Sequence, residues 1–367
     1  MRPGPQAPHR LTPPIWKRPA PCPTLKLMLF AAVLLALHLA PVSPTAPNRQ
    51  PQLAAGHNTV AVVFGSGESI WLARSGDNGR SFSPPSKIAE LPKMSLGRHR
   101  GPRLVIAGKT MIVSAIPTGS DLFYWRSTDG GQTWSKPAVI NDQPTSAREG
   151  LQAMAADDEG HVAAAWLDDR IPGGKRLWGA FSNDAGATWS KNAMLYQAPG
   201  RTICECCHPS LVSLGHGEFA VMWRNVIDGY RDFYTMRLRD GKPVSPAVKQ
   251  GTGTWKLDGC PMDGGGLAVL NGELVSAWRR DHDLYLAEAG KPEVKLGEGQ
   301  DIALAVNSKG AYTIWSTAGG IEARLPGASS NMHLSDAGGF PALLTLPDGS
   351  ILAAWEENGS IATRRLE

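Results

Sequence analysis

A turn motif that occurs three times, at intervals of about 50 residues, constrains the fold of this 367-residue chain more than any other feature. The copies occupy residues 75–82, 127–134 and 182–189 and share the pattern Ser-x-Asp-x-Gly-x-(Ser/Thr)-(Phe/Trp). In each copy the Asp can accept hydrogen bonds from its own turn, and the Gly tolerates a positive φ. The repeat predicts a fold built from several copies of one structural unit.

A second repeat indicates what that unit is. A short apolar strand, preceded by a tight turn and often closed by Trp, occurs seven times, at Thr59–Phe64, Thr110–Ile116, His161–Trp166, Glu218–Trp223, Glu273–Trp278, Ala311–Trp315 and Ser350–Trp355. Asp-Gly and Asn-Gly turns between apolar runs are hairpin signals. Four-stranded units of this length, with no convincing helix between them, predict an all-β propeller. The partial first and last units favour six blades, with seven as the alternative.

The composition agrees with this prediction. The chain contains 41 Gly and 29 Pro, which is typical of a turn-rich fold and argues against a helical bundle. The hydrophobic fraction of 42% and the 12 Trp supply enough apolar surface for a core.

The net charge of +4 belongs to the N-terminal region. Five Lys and Arg residues and no Asp or Glu lie within residues 1–46, so the remainder carries about −1 and offers no basic surface for nucleic acid. The apolar run Leu27–Ala40 follows Lys26 and precedes small residues, which favours a cleaved signal peptide over an uncleaved anchor. We therefore expect a leader at residues 1–50, a propeller at residues 51–367, and a periplasmic or secreted monomer without other membrane segments.

The repeated Asp turn resembles the Asp-box of the bacterial neuraminidase repeat. The chain is similar, over roughly residues 55–367, to the sialidase-like β-propeller superfamily, as an exported branch with a Cys-x-Cys-Cys-His loop. This resemblance implies an anionic glycan as the ligand. Sialidases bind the sugar carboxylate with three arginines, use a Tyr–Glu pair as nucleophile and use an Asp as acid/base.

Meander topology predicts which residues face the ligand. With strands A to D numbered outward from the channel, the Asp turns and tight Gly turns lie at one end, and the D–A and B–C loops at the other. Arginines and carboxylates concentrate in those loops, where propellers bind ligands. The candidate clamp residues, whose alternative role is a salt bridge that fixes a loop, are Arg103, Arg148, Arg224, Arg279 and Arg280. The candidate catalytic residues are Glu149, Asp168, Asp169, Asp263, Glu356 and Tyr230.

A cysteine cluster lies in the same set of loops. Cys204, Cys206, Cys207 and His208 occupy one D–A loop, and Cys260 occupies the corresponding loop of the next blade. These side chains could bind Zn or Cu. One or two disulfides are the alternative, although adjacent cysteines such as Cys206 and Cys207 rarely bond to each other without strain.

The sequence thus predicts an exported sialidase-like glycoside hydrolase that acts on a carboxylate-bearing glycan. The alternative is a non-catalytic propeller that binds a glycan, a protein or a metal ion through the same loops.

Overall fold

The protein is a seven-bladed β-propeller. The computed structural model describes residues 36–366 together with Met1, Pro3 and Gly4. Most of the predicted leader, including Cys22, lies outside the described residues. The all-β prediction is confirmed, and the preference for six blades is wrong because both partial units are complete in the structure.

The first six blades each run from an inner strand at the channel to an outer strand. The first blade comprises β2 (Asn48–Gly56), β3 (Thr59–Ser66), β4 (Ser69–Ser75) and β5 (Ser86–Glu90), and the second comprises β6 (Arg103–Ala107), β7 (Thr110–Ala115), β8 (Phe123–Ser127) and β9 (Ala138–Val139). The third comprises β10 (Gln152–Ala156), β11 (Val162–Asp168), β12 (Arg176–Ser182) and β13 (Ala193–Tyr196). The fourth comprises β14 (Ser210–Gly215), β15 (Glu218–Arg224), β16 (Phe233–Arg239) and an outer edge split between β17 (Lys242–Pro243) and β18 (Val248–Lys249).

The remaining blades follow the same plan. The fifth comprises β19 (Gly265–Leu270), β20 (Glu273–Arg280), β21 (Asp283–Glu288) and β22 (Val294–Glu298), and the sixth comprises β23 (Gln300–Asn307), β24 (Gly310–Thr317), β25 (Gly320–Arg324) and β26 (Met332–Ser335). The seventh comprises β27 (Gly339–Thr345), β28 (Ile351–Glu357), β29 (Ser360–Leu366) and, as its outer strand, β1 (Leu37–Leu39).

Strand β1 closes the ring with residues from the opposite end of the chain. Leu37 pairs with Thr363 and Leu39 with Ile361, in antiparallel register. The Asn48 amide reinforces this closure by donating to the backbone oxygens of Leu39 and Ala40, at 3.2 and 2.9 Å. The outer strand of the last blade thus comes from the apolar run that the sequence assigns to the leader.

The core lies between neighbouring blades. One cluster packs Leu177 of the third blade with Phe219 and Trp223 of the fourth. Four tryptophans at the ends of second strands are almost fully buried, namely Trp166, Trp223, Trp315 and Trp355. Burial of each large apolar side chain contributes about 1.5–3 kcal/mol, which fixes the blades against one another.

The three repeated turns share one hydrogen-bond pattern and connect the third and fourth strands of the first three blades. In the first turn Ser75 Oγ donates to Asp77 Oδ1 at 2.7 Å, and the Gly79 amide donates to Ser75 Oγ at 2.8 Å. Gly79 has a φ of 74°, which suits glycine. The same bonds recur around Asp129 and Asp184. We call the end of the propeller with these turns the turn face and the opposite end the loop face.

The described residues contain no helix with the length and apolar character that crossing a membrane requires.

Candidate functional site

A cavity of about 190 Å³ lies in the central channel, where the inner strands of all seven blades meet. Its walls come from the first halves of these strands and from His99, His208 and Pro209 in the loops that precede them, so it lies toward the loop face. Three side chains with ionisable groups line it, namely His99, Arg103 and His208.

The backbone presents His99 to the channel through a tight turn. The Gly97 and Arg100 backbones exchange two hydrogen bonds of 3.0 Å, and both intervening residues have a positive φ: 51° at Arg98 and 63° at His99. This conformation is typical of a two-residue type I′ turn. Left-handed backbone at a residue other than Gly carries strain, and such strain clusters at functional sites.

Two buried carboxylates orient the His99 ring. Its Nε2 lies 2.7 Å from Asp301 Oδ1 and 3.9 Å from Asp263 Oδ1. Because an ionised carboxylate only accepts hydrogen bonds, Nε2 carries a proton, which in the neutral ring leaves the lone pair on Nδ1. Nδ1 has no hydrogen-bond partner among the described residues. The ring is therefore held in the tautomer that a general base requires.

Asp263 is the more deeply buried of the two carboxylates. It is 2% exposed, and both burial and the nearby Asp301 carboxylate raise its pKa. Its Oδ2 lies 2.8 Å from Arg279 Nε, and its Oδ1 accepts the Asp301 amide at 3.3 Å. Asp263 therefore helps to hold the Asp301–His99 pair in place by accepting the Asp301 amide.

His208 stacks on His99, with ring centroids 4.4 Å apart. Burial is the largest cause that lowers the pKa of His208 well below its usual range, and the positive charges of Arg103 and Arg224 add to it, so the ring is neutral. Its Nδ1 is buried and has no hydrogen-bond partner in the described structure. A buried polar atom without a partner is rare in folded proteins, and this one belongs to a residue that lines the cavity.

Arg103 stabilises the turn that contains His99 by hydrogen bonds to its backbone. Its guanidinium donates to the backbone oxygens of His99, Gly101, Pro102 and Gln152. Burial lowers the pKa of Arg103 to about 10. No carboxylate in the described part of the chain pairs with it, so its positive charge is not neutralised.

The other predicted clamp arginines are also engaged within the protein. Arg148 Nε lies 3.0 Å from Asp169 Oδ2, and Arg280 pairs with Glu293 at 2.7 Å. Arg224, which is 1% exposed, donates to the backbone oxygens of Arg231 and Arg279 and packs over Phe233 and Trp255. Among the five predicted arginines, Arg103 alone lines the central cavity.

The five predicted carboxylates are ion-paired as well. Their partners are Lys175 for Glu149, Arg170 for Asp168, Arg148 and Lys175 for Asp169, Arg279 for Asp263 and Arg49 for Glu356. Asp168 is completely buried and also accepts from Trp166 Nε1 at 2.8 Å. Tyr230 is 39% exposed, and Lys256 lies over its ring.

The cysteine cluster is a compact group next to these loops. Cys204, Cys206 and Cys207 are buried, and their sulfur atoms lie within 4.8 Å of one another, as metal ligands would. Cys260 is exposed and outside this group. Hydrogen bonds from the thiols of Cys206 and Cys207 lower the pKa of Cys204.

Sequence reasoning did not single out His99 or Asp301. His99 lies in a segment, residues 98–103, that the sequence places at the loop face, and Asp301 lies at the start of an inner strand. Asp263 shortly precedes the inner strand of the adjacent blade. Asp263 and Asp301 thus lie at nearly equivalent positions of neighbouring blades, and this repetition is the sequence signal that could have identified Asp301.

Comparison with solved structures shows the same fold in proteins named as glycan-active enzymes. An ulvan lyase, named as a polysaccharide lyase, has a TM-score of 0.55 and 9% identity, with 89% of this chain and 95% of that chain covered. The α-L-arabinofuranosidase of Fusarium graminearum has a TM-score of 0.51 and 12% identity, with 90% of this chain and 98% of that chain covered. The Trypanosoma rangeli sialidase has a TM-score of 0.51 and 12% identity, with 88% of this chain and 55% of that chain covered. No protein-family model matches the sequence, and no curated protein matches it.

Proposed function

We propose that this protein acts on an acidic glycan at the loop-face end of its central channel, and that His99 transfers a proton there. The observation that carries this proposal is the His99–Asp301 pair. Its 2.7 Å contact holds Nε2 and leaves Nδ1 free at a cavity. A positioned histidine of this kind contributes about 10²–10⁴-fold to a proton-transfer step.

Uncompensated positive charge supports an acidic ligand. Arg103 and Arg224 are both buried, and both guanidinium groups donate to backbone oxygens rather than to carboxylates. A buried charge without a counter-ion is costly, so an anion entering the channel would be stabilised by Arg103, which lines the cavity. The shared fold with an arabinofuranosidase, a sialidase and an ulvan lyase supports a glycan as the ligand.

The geometry favours proton abstraction over double displacement. A retaining glycosidase needs two carboxyl groups ~5 Å apart that both reach the substrate. All five carboxylates that the sequence nominates are ion-paired, and Asp263 and Asp168 are buried. In elimination next to a uronate carboxylate, one base takes the proton α to the carboxylate, a C=C bond forms, and the glycosidic oxygen leaves and takes a proton from solvent; His99 meets the requirement for the base. Sialidase-type hydrolysis would instead require Tyr230 and a released carboxylate to meet at the cavity.

A turnover screen tests this function. The full chain is incubated with fluorogenic sialosides and with uronate-bearing polysaccharides, and new reducing ends and the ultraviolet absorbance of unsaturated products are measured. We expect unsaturated products, and a loss of at least about 10²-fold in His99→Gln. The matched control is His216→Gln, because His216 lies in an exposed turn on the turn face. Equal activity in both variants would refute a role for His99.

A non-catalytic glycan-binding propeller is the second candidate. The observation that favours it is that the predicted arginines and carboxylates are all engaged within the protein. Glycan binding without turnover of any substrate in the screen would establish this alternative.

We also propose export to the periplasm or medium, on the strength of the apolar residues that follow Lys26 and precede β1. Mass spectrometry of the N-terminal peptide from the extracellular and periplasmic fractions tests it. Retention of the chain in the cytoplasm would refute export.

A further inference from the structure

The three buried cysteines of one loop form a group that the glycan proposal leaves unused. Sγ of Cys204 lies 3.7 Å from Sγ of Cys206 and 3.5 Å from Sγ of Cys207. These separations are much longer than the 2.05 Å of a disulfide bond. Three metal–sulfur bonds of about 2.3 Å, at tetrahedral or trigonal angles, place sulfur atoms about 3.8–4.0 Å apart. Two of the three sulfur–sulfur distances are therefore within about half an ångström of those in a coordination sphere, and the third, between Cys206 and Cys207, is below 4.8 Å.

The fold builds this arrangement through backbone contacts. The Cys204 amide donates to the Arg224 carbonyl at 3.0 Å, which fixes the start of the loop against the fourth blade. A turn at residues 205–206 then brings Cys204 and Cys207 side by side. All three cysteines are at most 6% exposed. These backbone contacts therefore hold the three sulfur atoms close together by themselves.

Hydrogen bonds to the sulfur atoms supply a second set of contacts. Arg231 Nη1 donates to Cys204 Sγ at 3.3 Å, while its Nε is held by the Leu257 carbonyl at 3.0 Å. Met262, which packs against the three cysteines, has a left-handed φ of 56°. Such contacts orient thiolate ligands and offset their charge. A purely apolar packing role for the cysteines would need neither the cation nor the strained backbone.

The side chains that pack around the three cysteines indicate which metal ion the group would bind. Val226 and Met262 pack against the three cysteines, so an aliphatic side chain and a thioether border the group. Structural zinc sites are closed by four nitrogen or sulfur ligands, usually Cys or His. Thiolate and thioether donors are soft and suit Cu(I). Cys260, the remaining described thiol, is exposed and outside the group.

We propose that Cys204, Cys206 and Cys207 bind one Cu(I) ion as a buried three-thiolate site, with Arg231 neutralising part of its negative charge. The site is separate from the proton-transfer group at His99. Binding replaces the thiol protons by the metal and releases them to solvent, without any change of oxidation state. The two proposals can therefore fail independently.

A competition titration tests the proposal. The reduced full chain is added, without oxygen, to Cu(I) complexed with bicinchoninate, and the loss of colour is measured. We expect transfer of one equivalent per chain, a Cu(I) affinity at least about 100-fold lower in Cys206→Ser, and an affinity 10–100-fold lower in Arg231→Gln. The matched control is Cys260→Ser, which should bind like the wild type. No transfer, or an unchanged affinity in Cys206→Ser, would overturn the proposal.

Wild-type protein alone provides a second readout that does not depend on the folding of variants. Iodoacetamide labelling followed by peptide mapping should modify Cys260 with and without Cu(I). Labelling of Cys204, Cys206 and Cys207 after partial unfolding should fall when Cu(I) is present. Labelling that Cu(I) does not change, a native disulfide within the trio, or tighter stoichiometric binding of Zn(II) than of Cu(I) would each contradict the assignment.

Discussion

At the residue scale, the buried arginines have a different role from the one their sequence pattern suggests. Arg103 and Arg224 donate to backbone oxygens and so support loops, and Arg103 also places a positive charge at the cavity. The sequence correctly indicated that these residues lie on the loop face. It could not indicate which polar groups each guanidinium would meet, because these depend on how the local loop folds and, for Gln152 and Arg279, on a neighbouring blade.

The role of Asp301 is a prediction at this scale. Asp301→Asn removes the carboxylate that holds His99 Nε2 at 2.7 Å. We expect kcat to fall by roughly 10²-fold while KM changes by less than about threefold, because the ring loses its preferred tautomer and not its place at the cavity.

Asp281→Asn is the matched control for Asp301→Asn, since Asp281 is an exposed carboxylate in a neighbouring loop. Melting temperatures of both variants should stay close to that of the wild type. A rise in KM with unchanged kcat in Asp301→Asn would show that Asp301 serves binding and not proton transfer.

At the element scale, the repeated Asp turns were the best-predicted part of the molecule. Their motif alone placed them between the third and fourth strands, and the hydrogen bonds of Asp77, Asp129 and Asp184 show why the spacing matters. The second strands agree with their predicted ranges within about two residues. The inner strand β2 escaped detection because its first residues, Asn48–Pro51, are polar or Pro.

Asp184 makes the stability that its turn contributes dependent on pH. Burial alone would raise its pKa, but hydrogen bonds from Thr188 and Ser182 lower it to about 2, against an ordinary value of 3.8. A depressed folded-state pKa stabilises the protein above the unfolded pKa, and the contribution is lost as the pH falls through the folded value.

We therefore expect Asp184→Asn to lower the free energy of unfolding at pH 7 by about 1 kcal/mol, a figure discounted for the exposure of the turn. The difference between wild type and variant should shrink between about pH 4 and pH 2. Urea titrations at several pH values measure it. A difference that grows on acidification would contradict the hydrogen-bond pattern.

At the scale of the whole molecule, the seventh blade is where sequence and structure differ most. The segment Leu37–Leu39 ends an apolar run that is typical of a signal peptide, and it also has the length and character of an edge strand. Local pattern could not choose between these roles, since the partner strand lies more than 300 residues away. Six blades were favoured because this strand was assigned to the leader.

Ring closure by β1 predicts a specific loss of stability. Leu39 is 7% exposed and packs in a cluster with Phe64 and Ile361, whereas Leu37 is 42% exposed. In the full chain we expect Leu39→Ala to lower the free energy of unfolding by about 2 kcal/mol and Leu37→Ala to have little effect. Thermal unfolding compares the two. Equal, negligible effects would show that β1 does not close the ring.

The most direct test of the central claim is a crystal structure of His99→Gln soaked with an acidic oligosaccharide from the turnover screen. The account predicts the sugar in the channel at the loop face, with its anionic group near His208 and above Arg103 and its reactive carbon within about 3.5 Å of residue 99. A sugar bound on the turn face, or on an outer blade edge far from residue 99, would contradict the account.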